Sequence, residues 1–506
     1  MRNPFGKAGT IVILVGIVVI LCAEILLDLT PPISRDALIH HLAIPKLWLL
    51  HGGVYEIPWA VYSYYPMNIN ILYLIPLYFG NDVLPKFIHW SFGLGIALMI
   101  YAYLEKRLGK TWGFLGILVF ISTPLVVRLS TSAYIDLGMV FFVSASIMAW
   151  LTWRQNDYKG KKWLLISAVC MGLAVGSKYN AMLAWFFVNL ALVFHLSRDT
   201  GKSAHALKTG ALFFAITLII ASPWFVKNLI LTGNPVYPLF GGFFNYIHGV
   251  VSGTGNSGGS DVAGWADNIF QRRAVMFGEN FWEVLLIPVR IFFQGQDDSF
   301  RYFDGVLNPI LLLMTPFAFF KKDYGHDKMF FLLFTGFFFM IAYFTEVIRV
   351  RYILPIIPFL TILSIMGIKY LFDFAREKTF SISRIGTIAL AVLIVALLSY
   401  NVHYLKGYFL TIKPLGYVLN QETKDEFLTR HIGSYPAMRF INEKLPQNSR
   451  TFLMFLNARG YYLDRPYTTE RSFGMNVVNQ MVKNAGDEKK FKQYLHSLQS
   501  THFLVR

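Results

Sequence analysis

The sequence predicts an all-α polytopic membrane protein with about eleven transmembrane helices and a small C-terminal α/β domain. Three observations carry this expectation. Of 506 residues, 55% are hydrophobic and only 15% charged, where a water-soluble chain carries about 25% charged residues. Eleven apolar, helix-like stretches recur along residues 1–405. The 46 Lys and Arg against 29 Asp and Glu, a net of +17, gather between alternate stretches rather than spreading evenly. In a soluble chain that excess would suggest nucleic acid; in a membrane chain it first reports topology, and a nucleic-acid partner is not expected. Two cysteines, Cys22 and Cys170, both in apolar runs, exclude a disulfide scaffold and read as packing residues.

The first stretch, 11–27, follows MRNPFGKAGT and is long, with no small-residue cleavage site after it, so it reads as a retained helix with a cytoplasmic N-terminus. The others fall at about 87–104, 111–128, 138–153, 163–176, 180–196, 210–231, 306–320, 329–346, 352–372 and 385–405. The segments between them at 1–9, 105–110, 154–162, 197–209, 321–328 and 373–384 hold eighteen Lys/Arg against seven Asp/Glu, a net of +11. This assigns them to the cytoplasmic side of a bacterial inner membrane and the C-terminal region to the periplasm. Three regions lie outside. The loop 30–86 contains a short apolar helix at 69–79, expected at the interface. The loop 232–305 contains GVVSGTGNSGGSDVAG, which reads as a mobile flap, and a second interfacial helix at 281–293. The tail, 406–506, alternates helix-like 434–445 and 488–498 with extended 451–456 and a terminal THFLVR, as a small α/β domain does. The chain stops inside that last strand-like run, as a truncated domain would. No internal repeat, P-loop, Zn-type Cys/His spacing, HExxH or DxD pair occurs, and neither a metal nor another cofactor is expected.

Ionisable groups at membrane depth are costly and are functional candidates by default. Glu24 and Asp28 lie one turn apart near the outer end of the first helix, where a structural pairing with a cation is expected. Asp36 follows beside Arg35, His40 and His41; Asp136 sits in a short outer turn, Lys178 in another, and Arg349 and Arg351 in a third. On the predicted topology all meet at the outer face, with Arg128, as cations that break the positive-inside rule. Carboxylates there can act as general base, and Arg and Lys can hold a phosphate as it leaves. Each also has an ordinary use. Asp36 and Asp136 could cap helices, Lys178 could snorkel, the arginines could anchor the interface, and the histidines could simply pack. Asp297 and Asp298 read as a solvated turn.

With these residues in place, the chain resembles polyprenyl-phosphate-sugar-dependent glycosyltransferases of the GT-C type, the lipid A aminoarabinose transferases and protein O-mannosyltransferases. The resemblance runs over roughly residues 8–240, through SRDALIHHLAIPK, HGGVYEIP, SYYPMNINILY, YIDLG and SKYN, and more loosely through PWFVKNLILTGNPVYP and RYILPIIP to 405. It implies an outer-face cavity, a polyprenyl-phosphate sugar as donor, and a lipid, glycan or protein acceptor. It implies an inverting displacement with Asp36 as base, Asp136 as its partner, and Lys178 near the donor phosphate. The chain departs from the aminoarabinose transferases in two places. Tyr65 stands before Pro66 where they carry Lys, and Ile39 stands where they carry Arg. Arg35, His40, Lys227 or the Arg349/Arg351 pair would then supply phosphate contacts. His41, Tyr64, Tyr65 and Tyr179 join them as candidate substrate contacts, with Trp59 and Tyr62 in the same aromatic loop; interface aromatics are the ordinary alternative. The rival class is a secondary transporter or flippase, which usually shows inverted repeats and midplane charges; neither is seen.

Overall fold

In the computed structural model, residues 5–247, 269–344, 348–377, 380–456, 458–470 and 476–505 are described. The GVVSGTGNSGGSDVAG flap lies outside them. The membrane module opens with α1 (Gly6–Asp28), a π-helical turn (Ala37–His41), α2 (Ala43–His51), α3 (Asn68–Tyr78) and α4 (Leu84–Leu108). It continues through α5 (Lys110–Ser122), α6 (Pro124–Ser130), α7 (Asp136–Gln155), α8 (Lys162–Val175), α9 (Ala181–Thr200) and α10 (Ser203–Thr232). The loop 232–305 holds α11 (Gly241–Ile247), α12 (Ile269–Phe277), α13 (Phe281–Leu285) and α14 (Ile287–Arg290). Then come α15 (Ile310–Leu313), α16 (Gly325–Ala342), α17 (Ile357–Arg376) and α18 (Phe380–Ile412).

Each of the eleven apolar stretches contains helix among its described residues. Eight helices among the described residues are long and apolar enough to cross a membrane, nine if α5 and α6 form one bent span. The stretches at 163–176 and 306–320 form shorter helices, Lys162–Val175 and Ile310–Phe320. Fourteen residues rise about 21 Å, less than the roughly 30 Å of hydrocarbon, so length alone supports fewer than the eleven crossings expected. The break between α5 and α6 has a local cause. Pro124 drives Thr123 to ψ 125°, the extended conformation required before proline, and the axes bend by 70°.

Burial sorts the spans. The segment Val350–Arg376 is buried over 89% of its apolar window, while α1 is buried over 22% and the Ile385–Ile412 part of α18 over 11%. A helix apolar all round belongs at the centre, and α17 is that helix. It comes close to the end of α15: a Cβ at Gly367 would lie 1.9 Å from the Met314 carbonyl oxygen. Gly367→Ala must therefore push two backbones apart, and we expect a loss of at least about 1–3 kcal/mol, read as a lower melting temperature in detergent.

The helix expected at 281–293 is two short ones, α13 and α14, because Pro288 opens the second and cannot continue the first. The helix expected at 69–79 is α3, with Ile69, Asn70, Tyr73 and Pro76 buried and Ile71 and Ile75 exposed. In the tail, α18 runs to Ile412, two turns past the expected boundary at 405. Then follow α19 (Pro414–Val418), α20 (Lys424–His431), α21 (Tyr435–Lys444), β1 (Thr451–Met454), β2 (Tyr467–Thr469), α22 (Asn476–Asn484), α23 (Glu488–Ser497) and β3 (His502–Val505). The strands form a parallel sheet in the order β2-β1-β3. This unit docks on the first outer loop. Lys46 Nζ donates to the carbonyls of Tyr461 and Leu463 at 2.8 and 3.0 Å and to Asp464 at 2.8 Å. The Tyr462 hydroxyl donates to the Pro32 carbonyl at 2.8 Å.

Candidate functional site

Two cation–carboxylate pairs define the site. Asp36 opens the π-helical turn but makes no capping hydrogen bond; its Oδ2 instead accepts from Arg351 Nη1 at 2.5 Å. Asp136 is the first residue of α7, fully buried, and its Oδ1 accepts from Lys178 Nζ at 2.6 Å. Lys178 stands between α8 and α9, and Arg351 in the short 3-10 segment Val350–Ile356 that leads into α17. Both basic residues thus come from the turns the positive-inside rule marked as exceptions.

The π-helical turn puts two successive imidazoles, His40 and His41, into the interior. Their ring centroids are 4.0 Å apart. His40 stacks on Tyr62 at 4.2 Å, and His41 faces Tyr134 at 5.5 Å. Asn70 Nδ2 donates to the His41 carbonyl at 3.0 Å and lies 3.2 Å from its Nδ1. Burial is the largest influence on Asp36 and would raise its carboxyl. The Arg351 guanidinium and the two imidazoles outweigh it and hold the carboxyl well below the usual range. Burial pushes the His40 imidazole down to about 4, against an opposing pull from Asp36; Arg351 and Lys178 lower it further and Asp136 raises it. His41 is pushed down by burial, then by His40. One histidine therefore lies in the field of both ion pairs, which ties them into a single site.

This burial has a pH consequence. An unfolded histidine protonates near 6.5 and folded His40 near 4. Below pH 6.5 the unfolded chain binds a proton that the folded chain does not, so folding stability falls as pH falls toward 4. By pH 5 the loss from His40 alone is about 2 kcal/mol. We expect His40→Asn to flatten the decline in melting temperature between pH 7 and 5; an unchanged slope would assign the acid sensitivity elsewhere.

Tyr134, two residues before Asp136, is a site residue that sequence reasoning passed over. Its hydroxyl accepts from the Asp36 backbone N–H at 3.3 Å, and its ring faces the Arg351 guanidinium at 6.0 Å. Its carbonyl accepts the Tyr73 hydroxyl. Its place in SAYIDLG, beside a chosen acid, was the available signal. Asn180 was also missed; it donates to the Tyr352 carbonyl at 2.7 Å and braces the Arg351 segment.

Other candidates fall outside this cluster. Arg35 is exposed and forms no ion pair among the described residues. Arg349 faces away into the loop 232–305, with Nε 3.7 Å from Asp304 and its guanidinium over Phe300 at 4.7 Å. That loop corrects the reading of Asp297 and Asp298 as a solvated turn. Arg128 binds Asp297, Asp298 and Asp304 at 2.9, 2.7 and 3.4 Å, and Tyr404 donates to Asp297 at 2.5 Å. Asp298 keeps 82% of its side chain exposed, but Asp297 only 25%. Arg128 is thus a loop anchor, and its charge is already balanced. Arg128→Gln should leave three carboxylates together without their cation, and faster proteolysis or hydrogen exchange over 294–306 is the expected result. Of Glu24 and Asp28, only Asp28 has the expected cation partner among the described residues. Glu24 accepts from Trp90 Nε1 and Ser130 at 2.9 and 2.7 Å, and Asp28 lies 3.9 Å from Lys86.

The aromatic residues form a wall. Tyr62, Tyr65 and Tyr179 follow one another at 5.4 Å spacings, and the buried Asn228 donates to the Tyr179 hydroxyl and the Tyr64 carbonyl at 3.0 and 2.8 Å. Tyr64 and Lys227 line a separate cavity of about 200 Å³ behind that wall. At the opposite ends of the spans, four of the predicted basic segments meet in pairs: Arg107 binds Asp327 at 2.9 Å and Arg154 binds Asp199 at 2.7 Å.

A multi-pass bundle whose polar groups converge at one end, with an α/β tail docked over its first loop, is a membrane protein of the GT-C fold. ArnT from Cupriavidus metallidurans has the same fold, with a TM-score of 0.54 at 15% identity over 94% of this chain and 89% of that one. The same protein bound to undecaprenyl phosphate gives 0.54 at 16% over 93% and 90%. The archaeal oligosaccharyltransferase AglB from Archaeoglobus fulgidus, in complex with an inhibitory peptide and a dolichol-phosphate, gives 0.55 at 12% over 97% and 69%. The chain belongs to the family described as a domain of unknown function, DUF8201, which matches residues 82–358. No curated protein matches it.

Proposed function

We propose that the protein is a glycosyltransferase of the bacterial inner membrane, which moves one sugar from a polyprenyl-phosphate donor to an acceptor at the periplasmic face. The observation that carries this reading is the pairing of Asp36 with Arg351 and of Asp136 with Lys178 around two buried histidines. It supplies two carboxylates and two cations in one cluster, on a fold whose solved examples bind undecaprenyl phosphate and dolichol-phosphate. In this reading residues 1–405 form the catalytic module, with a cytoplasmic N-terminus, and 406–506 a periplasmic domain. The acceptor oxygen attacks the anomeric carbon and the bond to the phosphate oxygen breaks with inversion. The acceptor proton passes to Asp36, and the lipid phosphate leaves with the electron pair beside Arg351 and Lys178. A carboxylate clamped by Arg351 is a weak base. A donor phosphate that draws Arg351 toward itself frees Asp36 only when the donor is present.

The test uses purified protein in detergent with a polyprenyl-phosphate sugar and membrane extract as the acceptor source. Release of free polyprenyl phosphate with sugar transfer supports the reading. Solute movement in proteoliposomes, with no transfer from any donor tried, would replace it with the transporter class.

A further inference from the structure

The cavity behind the tyrosine wall shares none of the paired groups. Trp48, Glu56, Ser63, Tyr64 and Lys227 line it, in a space of about 200 Å³. The turn Val61–Tyr64 separates it from the ion pairs: Tyr62 stacks on His40, while Ser63 and Tyr64 face the cavity. Lys227 differs from Arg128, Lys178 and Arg351 in one respect. Those three are balanced by carboxylates, whereas Lys227 has no ion pair among the described residues. Its Nζ donates to the Ser63 carbonyl at 2.6 Å and lies 5.0 and 6.0 Å from the ring centres of Trp224 and Tyr64. The one carboxylate in the cavity wall, Glu56, already accepts the Tyr64 hydroxyl at 2.5 Å. Two of the ammonium protons thus remain for an anion.

The edge of the cavity is apolar and exposed. Ile230, on α10, is 76% exposed and Val54 60% exposed. Because α10 is long and apolar enough to cross a membrane, Ile230 lies on a surface that meets lipid. A lysine with no ion pair among the described residues, inside an aromatic pocket with aliphatic side chains leading out to the bilayer, matches an amphiphile with an anionic head.

We infer that the Lys227 cavity is a headgroup site for an anionic membrane phospholipid, separate from the ion-pair cluster. Its phosphate takes Lys227, and its chains lie along Val54 and Ile230. In the reaction proposed above, this lipid is the acceptor, held one tyrosine layer from Asp36. That role rests on the proposed reaction; the binding site does not.

The experiment measures binding of a fluorescent short-chain phosphatidylglycerol to the purified protein by anisotropy. Lys227→Gln keeps a donor for the Ser63 carbonyl and should weaken binding about tenfold or more. Lys227→Arg should stay near wild type, and Arg351→Gln should bind as wild type. Equal binding by Lys227→Gln, or loss with Arg351→Gln alone, overturns the site. So does equal binding of the matching phosphatidylcholine. Displacement by inorganic phosphate at the concentration of unlabelled phosphatidylglycerol would assign the site to a free anion instead. If binding follows the expected pattern while no sugar transfer is found, the headgroup site stands and the transferase reading falls. If transfer occurs, Lys227→Gln should raise KM for a lipid acceptor and leave KM for the donor.

Discussion

Asp36→Asn should lower turnover about 10²–10⁴-fold, the usual size of a general-base contribution, with a smaller fall in melting temperature than Asp36→Ala. The amide keeps the size of the carboxyl and can still accept from Arg351, so the clamp at 2.5 Å is weakened rather than lost. What disappears is the charge that would receive the acceptor proton. Asp36→Ala is a poorer test, because it removes the partner of a guanidinium only 16% exposed and would confuse folding with chemistry. Release of polyprenyl phosphate from a defined donor is the measurement. Turnover near wild type in Asp36→Asn would exclude Asp36 as base and leave His40 as the next group to try.

The second large effect is on stability. Asp136 has no exposed side-chain surface, and its Oδ2 is buried with no hydrogen-bond partner among the described residues, so Lys178 is the cation in direct contact with it. Lys178→Met should cost about 3–5 kcal/mol, as breaking one side of a buried pair usually does. A large drop in melting temperature would show it. The double variant Lys178→Met with Asp136→Leu should recover most of that stability, since well-packed apolar residues often replace a buried pair without loss. Under the proposed reaction it should not recover turnover. A stable and active double variant would mean the pair only holds α7 against the α8–α9 turn. A single Lys178→Met variant that melts with wild type would mean Asp136 is protonated in the folded protein.

Much of the site was legible because it consists of local exceptions. Asp136 and Lys178 interrupt short turns between apolar stretches, and Asp36 follows directly after the first. Their pairing was less legible. Asp36 and Arg351 are separated by 315 positions, and no spacing rule joins two residues across the helices α2 to α16. The same distance hid the Arg128 anchor: Asp297 and Asp298 read as a solvated turn because their cation lies some 170 positions away. Tyr134 escaped because a tyrosine near an interface is ordinary until its hydroxyl is seen on the Asp36 backbone. From the sequence Lys227 and Arg351 are alternatives for one phosphate, and only the structure sets Lys227 in a cavity apart from the Arg351 ion pair.

The sequence by itself determined that the chain enters a membrane, which stretches are helical, and which ends of those helices carry the basic segments. Hydropathy and charge are properties of short windows, and a bilayer reads them one window at a time. The tertiary structure decided which of these helices are too short to span alone and which helix is central. It also decided which acid each cation answers to and which histidines lose their water. Those are matters of convergence between distant turns, and the energies involved depend on burial that no single window contains.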